Sequence, residues 1–143
     1  YSSINEMLLS KNTALEHQVY NQINQNFESS LGYINRTASH IKIVMTDPSN
    51  ETYTIYDSYI EYCEMDFNEC STINEPQIIN SPFFKILSYG IKDNDDLDNI
   101  LIFNQDEELG QNTIKIHHQA NLIELSYYDS LGILNKIKIS KIQ

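Results

Sequence analysis

Tryptophan is absent, and 143 residues carry only four glycines and three prolines. Gly110 and Gly132 stand alone, so no Gly-rich loop is present to cradle a phosphate. Positive charge is also scarce: nine Lys and Arg face twenty Asp and Glu, for a net charge of −11. A duplex-binding face needs clustered cations that displace counterions. Here Lys136, Lys138 and Lys141 form the only late group, so direct nucleic-acid binding by this chain is not expected. The acidity favours basic partners. No apolar run is long enough to span a bilayer. Cysteine occurs twice, as Cys63 and Cys70. Their spacing fits neither a zinc knuckle nor a thioredoxin-type motif. A disulfide closing this short loop is the simplest reading, and it implies an oxidising compartment. By the chain-entropy model it contributes about 2–3 kcal/mol.

What is present starts with an apolar stripe. Ile4 and Leu8 lead into Leu15, Val19, Ile23, Phe27, Leu31, Ile34, Ala38 and Ile41. Steps of three and four average close to the α-helical period, and no proline interrupts them. The stripe predicts one amphipathic helix over 1–40, interrupted only by Gly32. About 39 residues make a rod of roughly 58 Å, longer than the roughly 37 Å diameter of a compact chain of this size. The helix is therefore expected to protrude or to kink near Gly32. The first residues, Tyr-Ser-Ser, resemble neither an initiator Met nor a signal peptide, so a hydrophobic anchoring segment is expected upstream.

From Ile41 the period changes to two. Ile41, Ile43 and Met45 predict a first strand, and Asp47-Pro48-Ser49-Asn50 a turn. Tyr53–Tyr56 and Tyr59–Tyr62 are β-prone, with Asp57-Ser58 between them. The stretch 64–82 reads as irregular and Phe83–Tyr89 as strand-like, followed by an acidic loop over 93–99. Strands are expected at 100–103, 113–117, 122–128 and 134–142, with a turn at Asp129-Ser130-Leu131-Gly132. The fold class is α+β: a single domain over 1–143, with the long N-terminal helix packed on a mostly antiparallel sheet over 41–143.

Candidate chemistry is thin. Asp93, Asp95, Asp96 and Asp98 offer oxygen ligands for Ca²⁺, but Leu97 and the missing glycine break the EF-type pattern. His117 and His118 are neighbours on a strand and point to opposite faces, so they do not share a metal. Tyr53, Tyr56, Tyr59 and Tyr62 read as sheet tyrosines with hydroxyls at the rim. Asn35-Arg36-Thr37 and Asn50-Glu51-Thr52 match the glycosylation sequon, which an Asn-rich chain meets by chance. No catalytic constellation is visible. Neither a cofactor, a metal nor a small-molecule substrate is expected.

Two stretches resemble the minor pilins and pseudopilins, the prepilin-type subunits of type IV pili, type II secretion and DNA-uptake filaments. One is Val19–Ile43, ending in Ile34-Asn35-Arg36-Thr37-Ala38-Ser39-His40-Ile41. The other is Leu122–Gly132 followed by Lys136-Ile137-Lys138-Ile139-Ser140. The diagnostic cleavage site of that family lies in neither. The resemblance implies a non-enzymatic assembly subunit, with its head in the periplasm or outside the cell. It implies anchoring in the bacterial inner membrane by a segment before Tyr1, and other pilin subunits as partners. Leu8, Leu15, Val19, Ile23 and Phe27 are the implied helix-packing residues. The alternative is an extracytoplasmic Cache or PAS-like ligand-sensing domain. That reading predicts a buried pocket where the pilin reading predicts a bare assembly helix.

Overall fold

The computed structural model describes residues 2–79, 82–91, 100–102, 114–129 and 131–142. Its N-terminal part is not one long helix. Only Ser2–Leu8 (α1) is helical. Asn12–Asn21 (β1) and Asn26–Arg36 (β2) follow as antiparallel partners, from Asn12↔Asn35 to Asn21↔Asn26. The reason lies in the spacing that suggested the helix. Leu15, Val19, Ile23, Phe27 and Leu31 are four apart, and four is even, so such residues share a face of a strand as well as of a helix. The sequence between Tyr20 and Ser30 is also rich in Asn, Gln and Ser, which compete with the helical backbone for hydrogen bonds. Asn21 turns the chain there: its Oδ1 accepts from the amides of Ile23 (2.9 Å) and Asn24 (3.1 Å). Tyr20 and Phe27 then meet edge to face across the hairpin, 5.2 Å between centroids.

The remaining elements are β3 (Ile41–Asp47), β4 (Glu51–Ile55), β5 (Ile60–Glu64), β6 (Glu69–Ile73), α2 (Pro76–Ile79), α3 (Pro82–Tyr89), β7 (Ile100–Ile102), β8 (Ile114–Gln119), β9 (Leu122–Tyr128) and β10 (Leu134–Lys141). All ten strands form one sheet in the order β6-β5-β4-β3-β2-β1-β10-β9-β8-β7. Every neighbouring pair is antiparallel except β7 with β8. The expected helix-on-sheet α+β architecture is thus corrected to a sheet that takes up most of the chain, with three short helices. Phe83–Tyr89, expected as a strand, is α3. Phe83, Ile86 and Leu87 fall at i, i+3 and i+4, Pro82 opens the helix, and Gly90 closes it at φ 74° with its amide on the Ile86 carbonyl. The turn at 57–58 and the hairpin β9–β10 form where the sequence placed them.

The core lies on one face of the sheet. Ile41, Ile43 and Met45 of β3, Ile114 and Ile116 of β8, Ile123 and Leu125 of β9, and Ile137 and Ile139 of β10 alternate inward and are buried. Ile4, Met7 and Leu8 of α1 and Ile86 and Leu87 of α3 cover them. Phe84 of α3 packs against this core. It is a wall of two hollows, one also lined by Ile55 and Ile60 of β4 and β5, the other by Tyr127 and Ile137 of β9 and β10.

Gly32 marks a close approach of β2 and β3. The β2–β3 register shifts between Leu31 and Gly32. A Cβ on Gly32 would run into the Val44 carbonyl and lie 2.9 Å from Met45 Cα, both backbone atoms that cannot step aside. Gly32→Ala is therefore expected to cost about 1–3 kcal/mol, read as a lowered denaturant midpoint with unchanged slope.

Candidate functional site

Between α3 and the inner face of the sheet lies a cleft of about 290 Å³. Six adjacent strands supply its floor: Tyr53 of β4, Ile43 and Met45 of β3, Ser30 of β2, Leu15 and His17 of β1, Ile137 of β10 and Tyr127 of β9. Phe83 and Phe84 of α3 form its roof. The room exists because the middle of the floor is small. Ser30 pairs with His17, so β2 presents only a hydroxymethyl group where its neighbours carry larger side chains. The aromatic walls are ordered. Phe83 stacks on Tyr127 with centroids 6.1 Å apart, and Tyr53 lies 4.9 Å from Tyr62.

Burial pushes the Tyr127 hydroxyl up to about 12, with the negative charge of Asp129 adding to it. Tyr53 is likewise pushed up to about 12 by burial, then by Glu51 and Tyr62. Both phenols therefore stay neutral at physiological pH and serve as apolar walls with one polar tip.

The mouth at the β3–β4 turn is acidic. Asp47, Pro48, Ser49 and Glu51 line it. Glu51 accepts from the Tyr53 hydroxyl at 3.4 Å, and Glu64 pairs with it across the sheet. One polar string enters the floor. Asn135, 5% exposed, donates from Nδ2 to Asp129 Oδ2 (3.1 Å) and to the Ile133 carbonyl (3.0 Å). Its Oδ1 thus faces His17 Nε2 at 2.7 Å as an acceptor, which places the imidazole proton on Nε2. A carboxamide relays no proton, and the string holds no nucleophile. Its effect is to fix the His17 ring on the cleft wall.

The roof is fastened through two side chains. Arg36, at the end of β2, donates from Nη2 to the Leu8 carbonyl at 3.0 Å and to the Leu87 carbonyl. These are last-turn carbonyls of α1 and α3, which lack partners within their own helices. Asn5 of α1 clamps Ile91, two residues beyond α3, in both directions. Its Nδ2 donates to the Ile91 carbonyl at 2.7 Å, and its Oδ1 accepts from the Ile91 amide at 2.8 Å.

The five residues expected to share a helix face are dispersed. Leu8 is buried in α1, and Leu15 lies in the cleft floor. Val19 is on β1 and Phe27 on β2, where the ring carries the Lys136 ammonium 5.0 Å above its centroid. Ile23 sits in the β1–β2 turn, 93% exposed. The helix that carried most of the pilin resemblance is absent. Cys63 and Cys70 are joined, directly opposite each other on β5 and β6 with Cα atoms 4.1 Å apart. Glu61 lies near them, but both sulfurs are used in the disulfide. Asp93, Asp95, Asp96 and Asp98 fall outside the described residues. The spacing of Phe83, Ile86 and Leu87 between Pro82 and Gly90 was the signal that places the roof in the sequence. Arg36, Asn5 and Ser30 carried no such signal.

Arg36→Leu is expected to lower stability by about 2–3 kcal/mol, since it leaves two helix carbonyls without a charged donor. It should also accelerate amide exchange in α1 and α3 ahead of the sheet. Asp129 supplies a pH dependence. Burial pushes its carboxyl up, but donors at Ile133, Asn135 and Leu131 outweigh that and hold it below the usual range. A depressed carboxylate stabilises the fold above its unfolded value near 3.8 and loses that contribution as pH falls through the folded value. Acidification below pH about 4 should release the 129–133 turn first. The check is by NMR of the Leu131 and Ile133 amides, which Asp129 Oδ1 holds at 2.9 and 3.0 Å.

No protein-family model matches this chain, and no curated protein matches it.

Proposed function

We propose that this chain is a non-catalytic binding domain that takes an apolar ligand into the cleft between α3 and the sheet. One observation carries the reading. The inner face is hollowed at Ser30 and roofed by Phe83 and Phe84, where close packing would otherwise fill a core. Clefts that are mostly apolar with a few placed polar groups are the usual form of small-molecule sites, and a volume near 300 Å³ is at their lower bound. Such a size suits a flexible hydrocarbon chain better than a large rigid ring system. Each methylene removed from water contributes about 0.8 kcal/mol. The Cys63–Cys70 disulfide supports an oxidising, extracytoplasmic setting. Of the two readings made from the sequence, this one follows the ligand-binding alternative, and it replaces the expectation that the chain takes no small molecule. Among the described residues, no helix is long and apolar enough to cross a membrane.

Titration with a fluorescent fatty-acyl probe should show one saturable site of micromolar order. Ser30→Trp, which fills the hollow, should weaken binding at least tenfold while the circular dichroism spectrum stays that of the parent. Absence of saturable binding by any alkyl ligand up to its solubility would overturn the reading.

A further inference from the structure

The inner face has a second hollow at the opposite end of the strands. A pocket of about 400 Å³ is bounded by the β2–β3 loop, the β4–β5 turn, α3 and the ends of α1 and α2. Phe84 is the wall it shares with the apolar cleft. Between the two mouths β3 runs from Ile41 to Asp47, about 20 Å of extended chain.

The two ends carry opposite charge. Asp47, Glu51 and Glu64 lie toward the β3–β4 turn. Arg36, His40 and Lys85 line the far pocket, where Asp57 is the only carboxylate among the described lining residues. In a chain of net charge −11 with nine Lys and Arg, this grouping is against composition. Among the described residues, neither Arg36 nor Lys85 forms an ion pair. Arg36 is bonded to carbonyl dipoles, and its buried Nε has no acceptor. A buried donor without a partner is unusual and calls for a reason. His40 is held at the rim, its Nδ1 3.2 Å from Thr37 Oγ1 and 3.0 Å from Ser39 Oγ. Tyr56 packs against its ring at 5.6 Å and stacks on Tyr59 at 4.7 Å. The pocket thus joins cationic groups to hydroxyls, the donor set that receives a phosphate or carboxylate.

We infer that the far pocket receives the anionic group of an acidic amphiphile whose hydrocarbon chain occupies the cleft beyond Phe84. The acidic mouth sets the direction, because an anionic head is repelled there and attracted at the Arg36 end. The inference rests on the cleft being the ligand site, and the ligands below separate the two. Calorimetry at neutral pH compares dodecyl phosphate, the uncharged monolauroylglycerol and inorganic phosphate. Each is measured on the whole chain and on Lys85→Glu, whose exposed side chain is not needed for packing.

Dodecyl phosphate should bind about tenfold more tightly than monolauroylglycerol, and Lys85→Glu should remove that difference without changing monolauroylglycerol binding. His40→Gln should reduce the difference in part. Equal affinities in the parent would overturn the anionic pocket and leave the apolar cleft standing. Failure of both dodecyl ligands would overturn the cleft. Phosphate binding that Lys85→Glu abolishes, seen in that same case, would leave the pocket as a site for a free anion and overturn the amphiphile. Binding of none of the three would overturn both.

Discussion

The guanidinium of Arg36 holds the ends of two helices at once, and the inner face of the sheet depends on that hold. Helices of seven and eight residues do not persist in water unaided. Each gains stability from the apolar residues it presses on the sheet and from the hydrogen bonds that finish its last turn. Arg36 supplies those bonds to Leu8 and Leu87, and Asn5 fixes α1 against Ile91, just beyond α3. With α3 seated, Ile86 and Leu87 complete the core over the sheet. Without it, the apolar rows of β1, β3, β9 and β10 would face water.

The inner face is divided by side-chain size as well as by charge. At its centre Ser30 leaves space, around it Leu15, Ile43, Met45 and Ile137 give an apolar surface, and Phe83 and Phe84 close it from above. The tyrosines belong to this plan in pairs. Tyr53 faces Tyr62 across β4 and β5, and Tyr56 stacks on Tyr59 beside the connecting turn. Their recurrence every three residues has no meaning along one strand and acquires one when the hairpin folds. Tyr53 of the first pair lies at the acidic end and Tyr56 of the second at the basic end.

Local signals in the sequence located the turns and the later strands well. Asp57-Ser58 and Asp129–Gly132 turn where their residue types demand, and the Ile-x-Ile rows of β8 and β10 face the core as alternation requires. The cysteine spacing pointed to the disulfide that joins β5 to β6. The N-terminal third misled because a four-residue repeat satisfies two periods at once, and the deciding information lay in the amide-rich turn at Asn21–Asn26. The α3 roof was hidden because two adjacent phenylalanines favour a strand locally, and Pro82 and Gly90 define the helix only when taken together. The cleft itself was illegible. It is built from residues far apart in the chain, and a hollow arises from what Ser30 lacks.

Strand order also governs how the molecule comes into being. The strand lying beside β1 at the centre of the sheet is β10, whose Lys141 meets Thr13. During synthesis β1 to β6 can assemble as a meander while β1 still presents an open edge, ready to pair with any extended chain it meets. That edge is sealed only by the final strand, after a loop closure spanning nearly the whole sequence, the kind of contact that makes folding slow. The middle of the sheet is therefore its last part to be completed. Until β10 arrives, the open edge of β1 is a place where a chaperone can hold the chain unfolded.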